Sequence, residues 1–316
     1  MRLTIVGAGA IGGFIAAVLA RGGVETAVVV RGEQLSAIRR HGLRVRSSDL
    51  GAFSAQVDAA ADVRELPASD AYLLTFKAHQ WPGFLEQMAA VAQMNVPIVT
   101  LQNGVPFWFE RDPPLETVDP GGRLGALFGD ERVIGGVVHV SGHLADPGVI
   151  VQSGGLRYLI GEATGHNGER IERLARTLRR AGLDVEIDGA IRRSLWFKLV
   201  GNASLNPMSV VTRMTIGQMM RDPSVLGEIR ALMLEVLEVG KALGLVENPE
   251  REAEDRIAYA ARLDDVKSSM LQDAEADRSL EIDPIVGAAI ELGKRYDVPM
   301  PREQAMYARL RAPAVR

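Results

Sequence analysis

The sequence predicts an α/β protein with a doubly wound parallel sheet in its first half and an all-α domain in its second half. Three observations support this: a glycine-rich turn between a strand pattern and a helix pattern, alternating strands and helices afterwards, and purely helical periodicity from about Ala190. A length of 316 residues suits two domains better than one core. We expect domains at residues 1–188 and 189–316.

The composition excludes several classes of function. Hydrophobic residues make up 47% and charged residues 24% of the chain, which is typical of a soluble globular protein. The formal charge is −4 and the basic residues are scattered, so no nucleic-acid partner is expected. The absence of cysteine excludes disulfides, thiol catalysis and cysteine-ligated zinc. His139 and His143 lie in a strand-and-turn pattern, so we predict no metal site.

The first apolar residues do not resemble a secretory signal or a membrane span. Glycines interrupt this run, and no small-residue cleavage pattern follows it. No stretch reaches the roughly 20 uninterrupted apolar residues that a membrane span needs. We therefore expect a cytoplasmic protein with no membrane partner.

The chain begins with a strand, a glycine turn, a helix and a second strand. Leu3–Val6 is the first strand, residues 7–12 read GAGAIG, and Ala27–Val30 is the second strand. This context makes Gly-x-Gly-x-x-Gly a dinucleotide-binding signal of the Rossmann type. The alternative is a glycine turn without a ligand.

Each glycine of the motif has a physical role in that prediction. Gly7 permits the tight turn, Gly9 lets the backbone approach a pyrophosphate, and Gly12 lets the helix pack close to the strand. The helix begins at Ala10 and Ile11, where free N–H groups favour an anion. We predict that these five residues bind the cofactor.

The residue after the second strand selects between the two nicotinamide cofactors. Arg31 occupies the position where NAD-specific proteins tend to carry an acidic residue. A guanidinium suits the 2′-phosphate of NADPH because it forms forked, charge-assisted hydrogen bonds. NADPH is therefore the predicted cofactor, and Glu33, two residues further, keeps NAD open.

The later strands of the first half place polar residues at one edge of the sheet. The predicted strands are Ala71–Phe76, Ile98–Leu101, Val133–Val140 and Val185–Ile187, and the predicted helices are Trp81–Met94, Glu169–Arg180 and, less clearly, a segment after Asn103. Lys77 follows one strand, and Gln102 and Asn103 follow the next. Because ligands bind beyond the carboxyl ends of parallel strands, these side chains are candidate site residues. Residues 107–124, rich in aromatic residues, proline and glycine, predict a loop that is a lid or an interface element.

One helix of the second half carries an unusual polar face. Lys198, Asn202 and Asn206 recur every fourth residue among apolar neighbours, so a helix places them on one side. A solvated helix face usually carries Glu and Lys, whereas here two amides accompany one lysine. The alternative is an ordinary solvated face. We expect the helix to end at Asn206 because Pro207 follows it.

The chain resembles the ketopantoate reductase (2-dehydropantoate 2-reductase) family, relatives of the 6-phosphogluconate dehydrogenase group. The resemblance runs nearly end to end through IVGAGAIGG, Arg31, TFKAHQ, LQNGV, WFKLVGNASLNP and SSMLQDAEADRSLEID. It implies the Rossmann-type domain with an all-α domain and a substrate cleft between them. It also implies NADPH-dependent reduction of 2-dehydropantoate, a 2-keto acid, to pantoate for pantothenate biosynthesis.

The resemblance also implies a role for each matching residue, with Lys198 as the general acid. Glu281 matches the family's active-site glutamate, and Ser269 matches the serine that holds the substrate carboxylate. Asn202 and Asn206 match the amides beside the lysine; Lys77 and Asn103 match residues that bind cofactor and substrate.

Two departures from the family pattern keep other functions open. Val286 stands where the family often has asparagine, and the 107–124 loop is longer than usual. One alternative is a reductase of a different 2-keto or 3-hydroxy acid. Another is a protein that senses NADPH without turnover, although a sensor needs no proton donor. The helical domain can also supply a contact between two copies, so the sequence is compatible with a homodimer.

Overall fold

The computed structural model describes residues 1–263 and 266–312. The chain forms two compact units, and each is described separately. The first comprises Met1–Gln102 and Arg123–Ile191, and the second comprises Asn103–Gly122 and Arg192–Arg316. Residues 103–122, placed in the first domain on sequence grounds, thus belong with the helices of the second unit.

The first unit is built on a ten-stranded sheet in the described part of the chain. Its strands are β1 Arg2–Val6, β2 Glu25–Val29, β3 Leu43–Ser47, β4 Gly51–Ala55, β5 Asp58–Ala60, β6 Ala71–Leu74, β7 Ile98–Thr100, β8 Val133–Asp146, β9 Val149–Glu162 and β10 Asp184–Ile187. Their order is β4-β3-β9-β8-β7-β6-β1-β2-β5, and β10 also pairs with β9. Strands from β5 to β8 along this order are parallel, whereas the β8–β9 and β3–β4 pairs are antiparallel.

Helix α1, Ala10–Arg21, forms the centre of this unit's core. Every residue from Gly12 to Leu19 is buried, and the helix packs against β2, β3, β8 and β9. The other helices of the unit are α2 Gly32–His41, α3 Trp81–Gln93, α4 Arg123–Leu127 and α5 Glu169–Arg180. The predicted fold class is confirmed, and the sheet contains antiparallel pairs besides the predicted parallel ones.

The strands at 43–60 and 149–162 were absent from the sequence prediction. In β3, buried Leu43 and Val45 alternate with exposed Arg44 and Arg46, which is the period of a half-buried strand. The helix predicted after Asn103 is present but short, and it begins only at Arg123, where α4 starts. Residues 103–119 form turns and irregular structure, because prolines at 106, 113 and 114 remove backbone donors and disfavour helical geometry before them.

The second unit consists of helices with the 103–122 segment packed among them. The helices are α6 Ile191–Thr212, α7 Ile216–Arg221, α8 Pro223–Ala242, α9 Pro249–Ala260, α10 Ser269–Glu275, α11 Ala288–Arg295 and α12 Pro301–Arg311, with a π-helical turn at Asp283–Gly287. Asp222 and Asn248 accept backbone hydrogen bonds at the starts of α8 and α9, as expected for residues that precede Pro223 and Pro249. No helix of the described residues is long and apolar enough to cross a membrane.

Helix α6 continues through Pro207, so the predicted helix end at Asn206 is wrong. Proline inside a helix removes one i→i−4 hydrogen bond, and its ring crowds the carbonyl four residues earlier, which costs about 3 kcal/mol. Asn206 is 7% exposed inside the helix, and its carbonyl oxygen accepts a hydrogen bond from Ser209 Oγ at 2.7 Å. Apolar packing of its buried neighbours Met208 and Val210 stabilises this part of the helix despite the lost hydrogen bond.

Ring stacking and hydrogen bonds hold residues 103–122 against the helices of this unit. The Phe109 and Trp196 rings stack with centroids 5.8 Å apart. Glu291 on α11 accepts hydrogen bonds from the backbone N–H groups of Glu116 and Thr117 at 2.8 and 2.9 Å. Phe107, Trp108 and Phe109 are buried, so this segment forms part of the unit's core.

Candidate active site

The glycine turn of the first unit has the geometry of a phosphate cradle. Gly7 has φ +99°, and an added Cβ would lie 2.5 Å from the backbone nitrogen of Phe76. At Gly12 an added Cβ would lie 2.2 Å from Thr75 Oγ1. At Gly9 the same construction meets nothing within 4 Å. Gly7 and Gly12 therefore permit close packing, whereas Gly9 faces open space that a pyrophosphate would fit.

The start of α1 completes this cradle. Gly9 precedes the helix, and Ala10 and Ile11, its first residues, are only half-buried. The first N–H groups of a helix lack intrahelical acceptors and carry partial positive charge. Thr75 Oγ1 donates to the Gly7 carbonyl at 2.7 Å and so holds the turn against β6. Sequence reasoning did not single out Thr75, because a threonine at a strand end carries no distinctive signal.

Two further predicted cofactor residues lie in the same unit. Arg31 immediately precedes α2, and its exposed guanidinium donates to the Gly83 carbonyl at 2.9 Å. Lys77 follows β6 and precedes a short 3₁₀ turn, where its backbone N–H donates to Gln80 Oε1 at 3.0 Å. Gln102 donates from Nε2 to the Phe76 carbonyl at 3.0 Å, so its amide stabilises this loop.

In the second unit, two hydrogen bonds connect a lysine, an amide and a carboxylate. Lys198 Nζ donates to Asn103 Oδ1 at 2.9 Å. Asn103 Nδ2 in turn donates to Glu281 Oε2 at 3.4 Å, and Glu281 is 8% exposed. These residues lie 95 and 178 positions apart along the chain, and tertiary folding alone brings them together. Asn103 therefore fixes the amine with its oxygen and the carboxylate with its nitrogen.

The surroundings of Lys198 bring the pKa of its ammonium group close to neutral pH. Burial lowers the pKa of its ammonium to about 8, and the negative charge of Glu281 opposes this effect by raising it. A lysine with such a pKa is mainly cationic at pH 7 and can still release a proton. The arrangement can therefore donate a proton to a developing oxyanion and also stabilise its charge.

One face of α6 remains incompletely covered by the unit's own core. Its half-buried residues are Ser194, Phe197, Lys198, Gly201, Asn202 and Leu205, which follow a three- and four-residue spacing. An added Cβ at Gly201 would meet nothing within 4 Å, so this face of α6 is open at Gly201, one turn from Lys198. Asn202 shares this face one turn away, whereas Asn206 is buried.

Two adjacent serines at the start of α10 differ in their exposure: Ser268 is buried and Ser269 is exposed. Ser268 is 5% exposed, caps the helix by accepting from the Leu271 N–H at 3.0 Å, and bonds to Ser209 Oγ at 2.6 Å. Ser269 is exposed as the first residue of α10. Ser268 thus has a structural role, and the Ser269 hydroxyl faces solvent. Val286 is fully buried in the π-helical turn.

No cluster of three or more metal-ligating side chains occurs among residues 1–263 and 266–312.

Family models match both parts of the chain. The family model described as "Ketopantoate reductase PanE/ApbA" matches residues 3–165, and its C-terminal counterpart matches residues 190–314. A 2-dehydropantoate 2-reductase from Mesorhizobium japonicum is 40% identical over 323 aligned residues, which cover 100% of this chain and 98% of the relative.

Two solved structures are similar over nearly the whole chain. A candidate ketopantoate reductase from Ralstonia solanacearum has 35% identity and a TM-score of 0.89, with coverage of 98% of this chain and 96% of that one. A 2-dehydropantoate 2-reductase from Geobacter metallireducens has 28% identity and a TM-score of 0.87, with coverage of 98% of both chains.

Proposed function

The chain belongs to the ketopantoate reductase family, and from this premise we propose that it reduces 2-dehydropantoate to pantoate with NADPH. It is an oxidoreductase of a family that uses pyridine nucleotides. The observation that carries it is the hydrogen bond between Lys198 and Asn103, together with the pKa of about 8 for that lysine.

The glycine turn would hold the pyrophosphate of the cofactor. Gly9 leaves room for it, and the N–H groups at the start of α1 would donate to its oxygens. Arg31 would bind the 2′-phosphate, because no acidic residue occupies the end of β2. When bound, NADPH would supply the hydride. Lys77, at the sheet edge, would contribute a second positive charge to the same region.

Lys198 would act on the ketone oxygen of the substrate. As the carbonyl carbon gains a hydride, negative charge develops on that oxygen, and the Lys198 ammonium donates a proton from Nζ. The C=O π bond breaks and an O–H bond forms, which leaves a neutral amine that regains a proton from solvent. Asn103 holds Nζ during this step, and Glu281 favours the charged form of the lysine.

Asn202 and Ser269 would bind the remaining polar groups of the substrate. Asn202 lies on the open face of α6 one turn from Lys198, and the exposed hydroxyl of Ser269 is available for a carboxylate. Asn206, which is buried, would support the backbone of this face.

Replacement of the proposed acid is the direct test. Lys198→Ala should lower kcat for NADPH oxidation by about 10²–10⁴-fold, because proton donation is lost. NADPH affinity should remain nearly unchanged. Lys241→Ala, which removes an exposed lysine on α8, is the matched control and should retain full activity. Wild-type turnover in the Lys198 variant would refute the mechanism.

A panel of keto acids separates the substrate alternatives. The buried Val286, at a position where an asparagine is common in the family, favours including other 2-keto acids, assayed with NADPH, and 3-hydroxy acids, assayed in the oxidative direction with NADP⁺. The highest kcat/KM for 2-dehydropantoate would support the proposal, and a higher value for another acid would reassign the substrate. Tight NADPH binding without oxidation across the panel would indicate a sensor.

A further inference from the structure

The guanidinium of Arg31 is held by two neighbours in the first unit. Its Nη2 donates to the Gly83 carbonyl at 2.9 Å, and its Cζ lies 4.9 Å from the centroid of the Phe84 ring. Arg31 is exposed, and a free arginine side chain would sample many rotamers. The carbonyl and the aromatic ring both contact the guanidinium and so reduce this freedom.

Phe84 is itself fixed by a buried aromatic cluster. Its ring stacks on Phe76 with centroids 4.5 Å apart and planes inclined by 18°. Phe76 is buried and meets Trp81 edge to face at 4.7 Å. The backbone of Phe76 also packs closely against Gly7. The ring beneath Arg31 is thus anchored to the glycine turn.

Asp62, an acidic residue whose pKa is influenced by the charge of Arg31, is already paired with another arginine, Arg64. Arg64 donates to the two carboxylate oxygens of Asp62 at 2.8 and 2.6 Å. These bonds are the main reason why the pKa of Asp62 is lowered, and the charge of Arg31 makes the smallest contribution. Among the described residues, Arg31 forms no ion pair, so its remaining N–H groups are available to an incoming anion.

We propose that Phe84 positions Arg31 for the 2′-phosphate of NADPH and thereby increases the preference for NADPH over NADH. Phe84 is a positioning residue here, because it acts on the cofactor through the guanidinium. A stacked guanidinium keeps its N–H edge free, and forked recognition of a phosphate needs that edge. The inference rests on the proposed use of NADPH.

Direct binding titrations of the purified full-length protein with NADPH and with NADH test this role. Phe84→Leu keeps an apolar side chain and removes the aromatic face, and it should weaken NADPH binding by about 2- to 5-fold. NADH binding should not change, because NADH has no 2′-phosphate. Phe84→Tyr keeps the ring and should restore wild-type NADPH affinity. The KM values for the two cofactors should follow the same pattern.

Arg31→Met separates failure of this inference from failure of the cofactor assignment. This variant should weaken NADPH binding by about tenfold or more and leave NADH binding unchanged. Unchanged NADPH binding in Arg31→Met would overturn the cofactor assignment itself. If Arg31→Met weakens NADPH binding but Phe84→Leu does not, or if Phe84→Leu weakens both cofactors equally, the positioning role is refuted.

Discussion

The charge of Glu281 should determine the alkaline limit of the reductase reaction. In the wild-type protein the pKa of Lys198 is about 8, because burial lowers it and Glu281 raises it. Proton donation requires the ammonium, so kcat/KM for keto-acid reduction should fall as pH rises through about 8. Glu281→Gln removes the opposing charge and leaves the burial, so the fall should occur at lower pH.

The size of this displacement follows from the contacts around Asn103. Asn103 contacts both Lys198 and Glu281, which keeps the carboxylate close to the amine. A neighbouring charge at such range moves a pKa by about one to three pH units. With a displacement of about one unit, the fraction of charged lysine at pH 8 falls from about one half to about one tenth, so relative activity there falls about fivefold.

The assay is kcat/KM for NADPH-dependent reduction, measured from about pH 6.5 to about pH 10 so that the plateau and the fall in activity are both recorded. The midpoint of the fall is compared rather than the absolute rate, because Glu281 also positions Asn103. Glu281→Asp retains the charge, and its midpoint should remain nearer the wild-type value. The reverse oxidation requires the neutral amine, so its rate should instead rise with pH through about 8.

A coincident midpoint in wild-type and Glu281→Gln proteins would refute this reasoning. A midpoint displaced to higher pH would refute it as well, because loss of a negative charge cannot stabilise a cation.

Two predictions concern the stability of the helical unit. Gly240→Ala should destabilise the protein by about 1–3 kcal/mol in urea unfolding, because the new Cβ would lie 2.1 Å from Nε1 of the buried Trp196. The control is Gly227→Ala on the same helix, where the new Cβ enters open space. This variant should be neutral or should stabilise the protein by up to about 1 kcal/mol. Equal effects of the two substitutions would contradict the packing argument. Burial, with a smaller contribution from Glu235, raises the pKa of Glu303 well above its ordinary value, so the folded state keeps this proton to higher pH than the unfolded chain. The free energy of unfolding should therefore fall as pH rises from the ordinary carboxyl pKa through the raised one. Glu303→Gln should remove this part of the pH dependence. If the free energy of unfolding of this variant, measured at several pH values, depends on pH as in the wild-type protein, this role of Glu303 is excluded.

Local sequence patterns determined several helices and strands and the glycine turn after β1. Helix α5 was predicted at its observed bounds, Glu169–Arg180, because its apolar spacing is strong. The glycines at 7, 9 and 12 predicted the turn because backbone conformation and close approach are local requirements. Resemblance to a family, rather than spacing, selected Ser269 and Glu281.

Only the tertiary structure decided how the polar residues are combined. Asn103 was predicted as a site residue from its place just past β7, but only the folded chain shows that it links Lys198 to Glu281. No local pattern predicts contacts across 95 and 178 residues, because such contacts depend on how whole elements pack. The same reason explains the pKa of Lys198. Burial and a distant carboxylate set it, and neither is encoded in the residues beside the lysine.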